Sequence, residues 1–327
     1  MTALTVGRTT LPAKYLPVLV TGCLFVAMFV AGGIRYEGFA SGQVILNVFI
    51  DNAFLLVVAV GMTFVILTGG IDLSVGSVVA LSTMIAASLM EGPGWPPYVV
   101  VPLVLAIGSG LGLAMGWIIQ AFDIQPFIVT LAGMFLARGL CYTIGTDSIP
   151  IDDPTFTAFA QTRIDLFADL WISPSVVIAL VVVAVAAYVL HYTRFGRSVY
   201  ATGGSEQSAL LMGLPVARTK IIVYTLSGFC SALGGVLVSF YMLSGYGLHA
   251  VGMELDAIAA VVIGGALLTG GSGFLLGTVL GVLVLGLIQT ILTFEGTLSS
   301  WWTKIFIGLL LFVFILFQRL FSARSRR

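Results

Sequence analysis

Apolar stretches of membrane-crossing length recur from one end of this chain to the other, and they decide most of what it can become. A helix needs about 20 apolar residues to cross the hydrocarbon core of a bilayer. Ten stretches are candidates: 15–34, 43–68, 73–90, 98–120, 126–145, 174–191, 219–242, 256–271, 274–293 and 303–321. Of these, 73–90 and 256–271 are short and rich in Gly and Ser. Charged residues make up 9% of the 327 and hydrophobic ones 59%, against about 25% and 45–50% in soluble domains. So few charges cannot cover a surface facing water. In lipid every backbone group must be satisfied within the protein, which selects helices for runs of this length. The expectation is an all-α membrane protein, a polytopic bundle of about ten transmembrane helices forming a single transmembrane domain over 1–327. A soluble enzyme and a nucleic-acid binder are excluded; fourteen basic residues balance fourteen acidic ones and point to no polyanion.

The distribution of Lys and Arg orients the bundle. With the N-terminus in the cytoplasm, one side carries Arg8, Lys14, Arg194, Arg197, Arg218, Lys220, Arg319, Arg324, Arg326 and Arg327. The other carries Arg35, Arg163 and Lys304, and collects acids including Asp147, Asp152, Asp153, Asp165, Asp169, Glu254 and Asp256. Both ends of the chain are basic, so an even number of spans with both termini cytoplasmic is expected. Arg8 and Lys14 also precede the first stretch as they would in a signal peptide, but its length and the lack of a small-residue cleavage site favour a retained span. Two loops are longer than the rest: 146–173 outside and 192–218 inside.

The chain repeats itself at an offset of 201: Leu67-Thr68-Gly69-Gly70 matches Leu268-Thr269-Gly270-Gly271, and Gly76, Ser77 and Val78 match Gly277, Thr278 and Val279. Each copy reads as apolar helix, Thr-Gly-Gly break, apolar helix, and both run in the same direction. Internal repeats recur in transporters, with the substrate path at the repeat interface. Glycines four apart, Gly108-Gly112-Gly116 and Gly273-Gly277-Gly281, point to close helix packing.

Polar residues inside spans carry a cost of about 2.5–3.5 kcal/mol when ionisable and so invite a reason. Arg138 stands mid-span, and Asp51 with Asn52 stands toward the outer end of 43–68. Asp51 either pairs with Arg138 or reaches water at the interface; Arg138 either lines a pore or binds backbone carbonyls. Asp72 follows the first glycine break, where it reads as the N-cap of a helix opening near Leu73, with Ser74 and Ser77 beyond it; a contact to a sugar hydroxyl is the alternative. With Phe64, Thr68, Phe127, Thr130 and Gln289 these residues form the candidate substrate pathway, hydrogen-bonding groups beside aromatic faces that suit a neutral polar substrate.

The inner loop has its own local code. Gly203-Gly204 breaks the preceding element, Ser205 caps a new helix, and Glu206 suits its positive end. Ala209 to Met212 follow, and Gly213 with Pro215 stops it. A helix this short is marginal alone in water and needs something to sit against. There is no GxxxxGK[ST] loop, no HExxH and no GxSxG, so neither nucleotide binding by that route nor metalloprotease or serine-hydrolase chemistry is expected. Two histidines and three scattered cysteines, Cys23, Cys141 and Cys230, offer no metal site and no disulfide framework. No catalytic residue and no cofactor in this chain is expected.

Gly61-Met-Thr-Phe-Val-Ile-Leu-Thr-Gly-Gly-Ile-Asp-Leu-Ser-Val-Gly-Ser77 resembles a signature of bacterial ribose/galactose-type sugar ABC transporter permeases. Thr193–Leu214 resembles that family's ATPase-facing loop, and Glu254–Gly265 with Gly270-Gly271 and Leu276-Gly277-Thr278 its third signature. Ser148–Ile151 and Gly296–Lys304 look most like the galactofuranose permease branch. The resemblance implies an inner-membrane subunit forming half of a channel that imports a monosaccharide. Its partners would be ABC ATPase subunits that bind ATP, a second permease chain (a heterodimer is favoured) and a periplasmic sugar-binding protein. Gly204, Ser205, Glu206, Ala209, Met212 and Gly213 would form the ATPase-coupling helix; Ser205 stands where many relatives carry Asn, and both are caps. The rival class is a self-sufficient ion-coupled secondary carrier using Asp51 and Arg138.

Overall fold

The computed structural model describes residues 4–6, 9–11, 15–166, 170–297 and 301–324. Among them the helices are α1 (Leu16–Arg35), α2 (Gly42–Leu67), α3 (Val75–Glu91), α4 (Pro97–Ala121), α5 (Pro126–Ile144), α6 (Pro154–Gln161), α7 (Pro174–Tyr192), α8 (Arg194–Gly204), α9 (Glu206–Leu211), α10 (Val216–Met242), α11 (Met253–Ile263), α12 (Leu275–Glu295) and α13 (Trp301–Arg324). Three short antiparallel pairs join β1 (Leu4–Val6) to β2 (Thr9–Leu11), β3 (Ile149–Pro150) to β6 (Ser244–Gly245) and β4 (Ile164–Asp165) to β5 (Trp171–Ile172). Arg8, Lys14, Asp169, Arg326 and Arg327, and residues 298–300 of the Gly296–Lys304 segment, lie outside the described residues.

Local chemistry sets the helix starts. Proline occupies the first turn of α1, α4, α5, α6 and α7, where its fixed φ fits and its missing N–H is not needed. Ser41 caps α2 by accepting from the Val44 N–H at 3.3 Å. Among the described residues, seven helices are long and apolar enough to cross a membrane: α1, α2, α4, α5, α7, α10 and α12. Each of the ten expected stretches contains a helix, with two corrections. The stretch 73–90 is a helix of 17 residues starting at Val75. The stretch 256–271 is not one helix: α11 holds 11 residues, and glycine-rich turns fill the way to α12.

The core gathers around α2, whose second half is buried on all sides, as an all-apolar helix requires. It packs against α10, α11, α12 and α7. α4 lies along α10 at backbone distance. A Cβ on Gly108, Gly112 or Gly116 would run into Ala232, the Tyr224 carbonyl or Ile221, so this glycine row is a packing face. In the second row, Gly277 and Gly281 press on the carbonyls of Gly264 and Ala260 in α11. Gly273 precedes α12 and belongs to the turn instead.

We call the end of the bundle that holds α9 the near end. α2 descends to it, and α3 leaves it. The repeat is visible in three dimensions: α3 begins at Val75 and α12 at Leu275, within one residue of the offset of 201. Each follows a Thr-Gly-Gly break with a left-handed glycine, Gly69 at φ +82° and Gly270 at φ +84°, a conformation that costs a side-chain-bearing residue about 1 kcal/mol or more.

Candidate functional site

Three places hold the polar residues of the bundle. The first is the α2–α3 break. Asp72 is fully buried. It accepts hydrogen bonds from the Ser74 N–H at 2.9 Å, the Ser74 hydroxyl at 2.6 Å and the Ser227 hydroxyl of α10 at 2.6 Å. Asp72 is therefore not the N-cap of α3. Ser74 occupies that position, and Asp72 ties the cap residue and α10 together. Thr130 of α5 reaches the same turn, donating to the Ile71 carbonyl at 3.3 Å. The Thr68 hydroxyl is spent on the Val65 carbonyl at 2.8 Å. One turn before the break, Thr63 of α2 and Thr278 of α12 share a hydrogen bond of 2.8 Å.

The second place is the segment 243–252 between α10 and α11. It runs down into the bundle along α3. Gly245 packs against the Thr83 carbonyl and Ala87, the Tyr246 N–H donates to the Thr83 hydroxyl at 3.4 Å, and Gly76 meets the Ala250 carbonyl and the Glu254 carboxylate. From Ala87 to Gly76 is about 16 Å of helix. α11 starts only there, which is why it is short. Irregular backbone in the interior of a membrane bundle needs partners for its carbonyls, and Arg138 of α5 provides them. Its guanidinium donates to the Gly247 carbonyl at 2.5 Å and the His249 carbonyl at 3.0 Å. The Asp51–Arg138 pair considered from the sequence does not form. Asp51 is exposed on the bundle and accepts from the Tyr241 hydroxyl at 3.2 Å.

The third place is the groove beside Asp51. A cavity of about 450 Å³ lies between α2, α12 and α10, lined by Asn47, Asp51, Asn52, Tyr241, Gln289 and Thr293 among others. Asn52 is buried and donates to the Val48 carbonyl at 2.9 Å. The structure thus brings Asp51, Asn52 and Gln289 together in one groove, and Asp72, Ser74 and Thr130 at one turn. Phe64 stacks with Phe195 of α8 with centroids 6.2 Å apart, and Phe127 is exposed; neither joins a polar cluster. Gly245, Gly247, His249 and Glu254 were not picked from the sequence as pathway residues. Arg138 was the signal: a lone mid-span arginine implies carbonyls or acids brought to it from elsewhere in the chain.

At the near end, α8 and α9 form an elbow. Ser205 closes α8, its N–H donating to the Ala201 carbonyl at 3.1 Å, and opens α9 by accepting from the Ser208 N–H at 3.3 Å. Gly204, assigned from the resemblance to the coupling helix, is the last residue of α8. Gly213 is left-handed at φ +73°, and the Leu214 N–H returns to the Ala209 carbonyl at 3.0 Å, the expected stop. Ala209 is buried, whereas Leu210, Leu211 and Met212 are 56%, 90% and 67% exposed. A Lys220–Glu206 ion pair of 2.6 Å ties α9 to α10.

Residues 44–315 match the family described as branched-chain amino acid transport system / permease component. The chain is 48% identical over 306 residues to the inner membrane ABC transporter permease protein YjfF of Escherichia coli (strain K12), covering 94% of this chain and 92% of that one. It is 41% identical over 332 residues to the fructose import permease protein FruG of Bifidobacterium longum (strain NCC 2705), covering 98% and 97%. It is 42% identical over 284 residues to the ribose import permease protein RbsC of Haemophilus influenzae, covering 85% of each. No solved structure matches the chain. The bundle, its repeat and these matches define a membrane permease, a multi-pass inner-membrane protein and not an enzyme. The chain belongs to this family of ABC transporter permease components.

Proposed function

We propose that this chain is the transmembrane permease of an ATP-driven sugar importer. The observation that carries the reading is α9: a capped helix of six residues that holds Leu211 and its neighbours out from the bundle. Exposed apolar side chains on so short a helix suit a groove on another protein. In this reading α9 seats in an ABC ATPase subunit on the cytoplasmic side, the ATPase binds the ATP, and this chain carries no cofactor. The whole of 1–327 acts as one permease domain of ten spans with both termini cytoplasmic, α3, α11 and α13 completing the seven long helices. A second permease chain, different from this one, forms the other half of the channel, and a periplasmic binding protein delivers the sugar.

The sugar path runs along the 243–252 segment and the α2–α3 break, where hydroxyls and backbone carbonyls stand beside Arg138 and Asp72. The Asp51–Gln289 groove is its second candidate lining. Among monosaccharides we place a galactofuranose-like sugar first. The support is the resemblance of Ser148–Ile151 and Gly296–Lys304, and the position of the former: Ile149 and Pro150 pair with Gly245 and Ser244 at the head of the path.

The test is gentle extraction of the tagged chain followed by reconstitution in liposomes. Co-purification of an ATPase and a second permease, with uptake that needs ATP and is blocked by excess galactofuranose, is the expected result. Uptake by this chain alone, driven by an ion gradient, would establish the secondary carrier and overturn the importer. Preferential competition by ribose or L-arabinose would keep the importer and discard the galactofuranose assignment.

A further inference from the structure

The two Thr-Gly-Gly breaks of the repeat touch, and the end of α8 lies against the point where they do. The Gly271 N–H of the second break donates to the Leu67 carbonyl at the end of α2, at 2.9 Å. A Cβ on Gly270 would stand 2.7 Å from the Gly69 nitrogen and 3.0 Å from the Gly203 Cα. A Cβ on Gly203 would strike the Leu67 carbonyl oxygen and come within 2.5 Å of the Gly271 nitrogen, the acceptor and donor of that one hydrogen bond. Gly271 in turn presses on the Cα and nitrogen of Gly204. These contacts are backbone against backbone, with no side chain to flex between them. A second attachment lies three residues before Gly203 in α8, where the Tyr200 hydroxyl donates to the Gly273 carbonyl at 2.8 Å.

α8 is joined to α9 by Ser205 alone, which caps both. α8 is the covalent link from α9 to the junction, and a close-packed contact transmits strain where a loose one would absorb it. The junction is where α2 ends and where the turns leading to α3 and α12 begin, so a displacement of α9 would reach both repeats together.

We propose that Gly203 is a positioning residue for transport: it lets α8 rest on the Leu67–Gly271 hydrogen bond, so that α9 moves the two repeats as one. The inference deepens the importer reading and rests on it. The experiment uses the assembled transporter in lipid nanodiscs, with hydrogen exchange followed by mass spectrometry, with and without vanadate-trapped nucleotide. In the wild type, trapping should change exchange at 206–213 and, in step, at 66–72 and 264–274. In Gly203→Ala the response at 206–213 should persist, the response at 264–274 should vanish, and uptake should fall by about tenfold or more, the scale of one broken buried hydrogen bond. A wild-type response at 206–213 with none at either break overturns the proposal, and this reading needs no variant to fold. Uptake by Gly203→Ala at the wild-type rate overturns it too. A wild-type preparation with no ATPase attached removes the importer reading, and the proposal falls with it.

Discussion

The carboxylate of Asp72 accepts a hydrogen bond from the hydroxyl of Ser227 at 2.6 Å, joining the α2–α3 break to the middle of α10. Both residues are fully buried, so neither can turn to water if the other is lost. Ser227→Ala should cost about 1–3 kcal/mol, the usual penalty for stripping a partner from a buried polar group. Asp72→Asn should cost less than Asp72→Leu, because the amide keeps its shape and can still pair with two hydroxyls. Thermal unfolding of the detergent-solubilised chain ranks them, and an unchanged midpoint for Ser227→Ala would contradict the geometry.

Arg138 supports the backbone of 243–252 through two charged hydrogen bonds, each worth about 1.5–3 kcal/mol. Arg138→Met should therefore strip two carbonyls at once and abolish uptake. Arg138→Lys should retain partial activity, since an ammonium can meet one carbonyl well but lacks the planar fork that meets both. Equal loss in the two variants, measured as uptake per folded transporter, would argue for a role tied to the guanidinium itself.

Leu211 is almost wholly exposed. Leu211→Arg should leave stability within about 0.5 kcal/mol, as surface changes usually do. The same change should sever co-purification of the ATPase. Retention of the ATPase by this variant would displace α9 from the proposed contact.

Tyr200 lies in α8, and burial pushes its phenol up to about 12 from an ordinary value of 10.0. Its neutral form is the one that donates to Gly273. The folded state thus holds this proton where the unfolded chain releases it, and stability should fall as pH rises from 10 toward 12, with the contribution intact below 10. Tyr200→Phe should lose about 1 kcal/mol at neutral pH and show a shallower decline at alkaline pH. Parallel alkaline declines for the two proteins would refute the assignment.

Much of this molecule could be read before its structure. Residue periodicity was not needed, because length and apolarity alone mark the spans; α2 begins and ends within one residue of the expected 43–68. The caps of α9 were also legible, since Ser205, Gly213 and Pro215 act on their immediate neighbours. What the sequence hid depends on which faces meet. Nothing in the order of residues tells that Arg138 looks toward Gly247 and not toward Asp51. The descent of 243–252 was hidden for the same reason: only Thr83, Ala87 and Gly76 on a distant helix show where Gly245, Tyr246 and Ala250 go. Asp72 was placed at the right break but given a neighbour's task, because a carboxylate that binds the N–H two residues on looks in sequence like one that caps a helix.

The brevity of α11 has a consequence for how the protein is made. Eleven residues span about 16 Å, roughly half the hydrocarbon thickness, so this helix offers the insertion machinery no complete span as it leaves the ribosome. Its last carbonyl, that of Ile263, accepts from the Thr21 hydroxyl of α1 at 2.6 Å, and its flank meets Gly277 and Gly281 of α12. α1 precedes α11 in the chain, so Thr21 gains this contact only once α11 has been made.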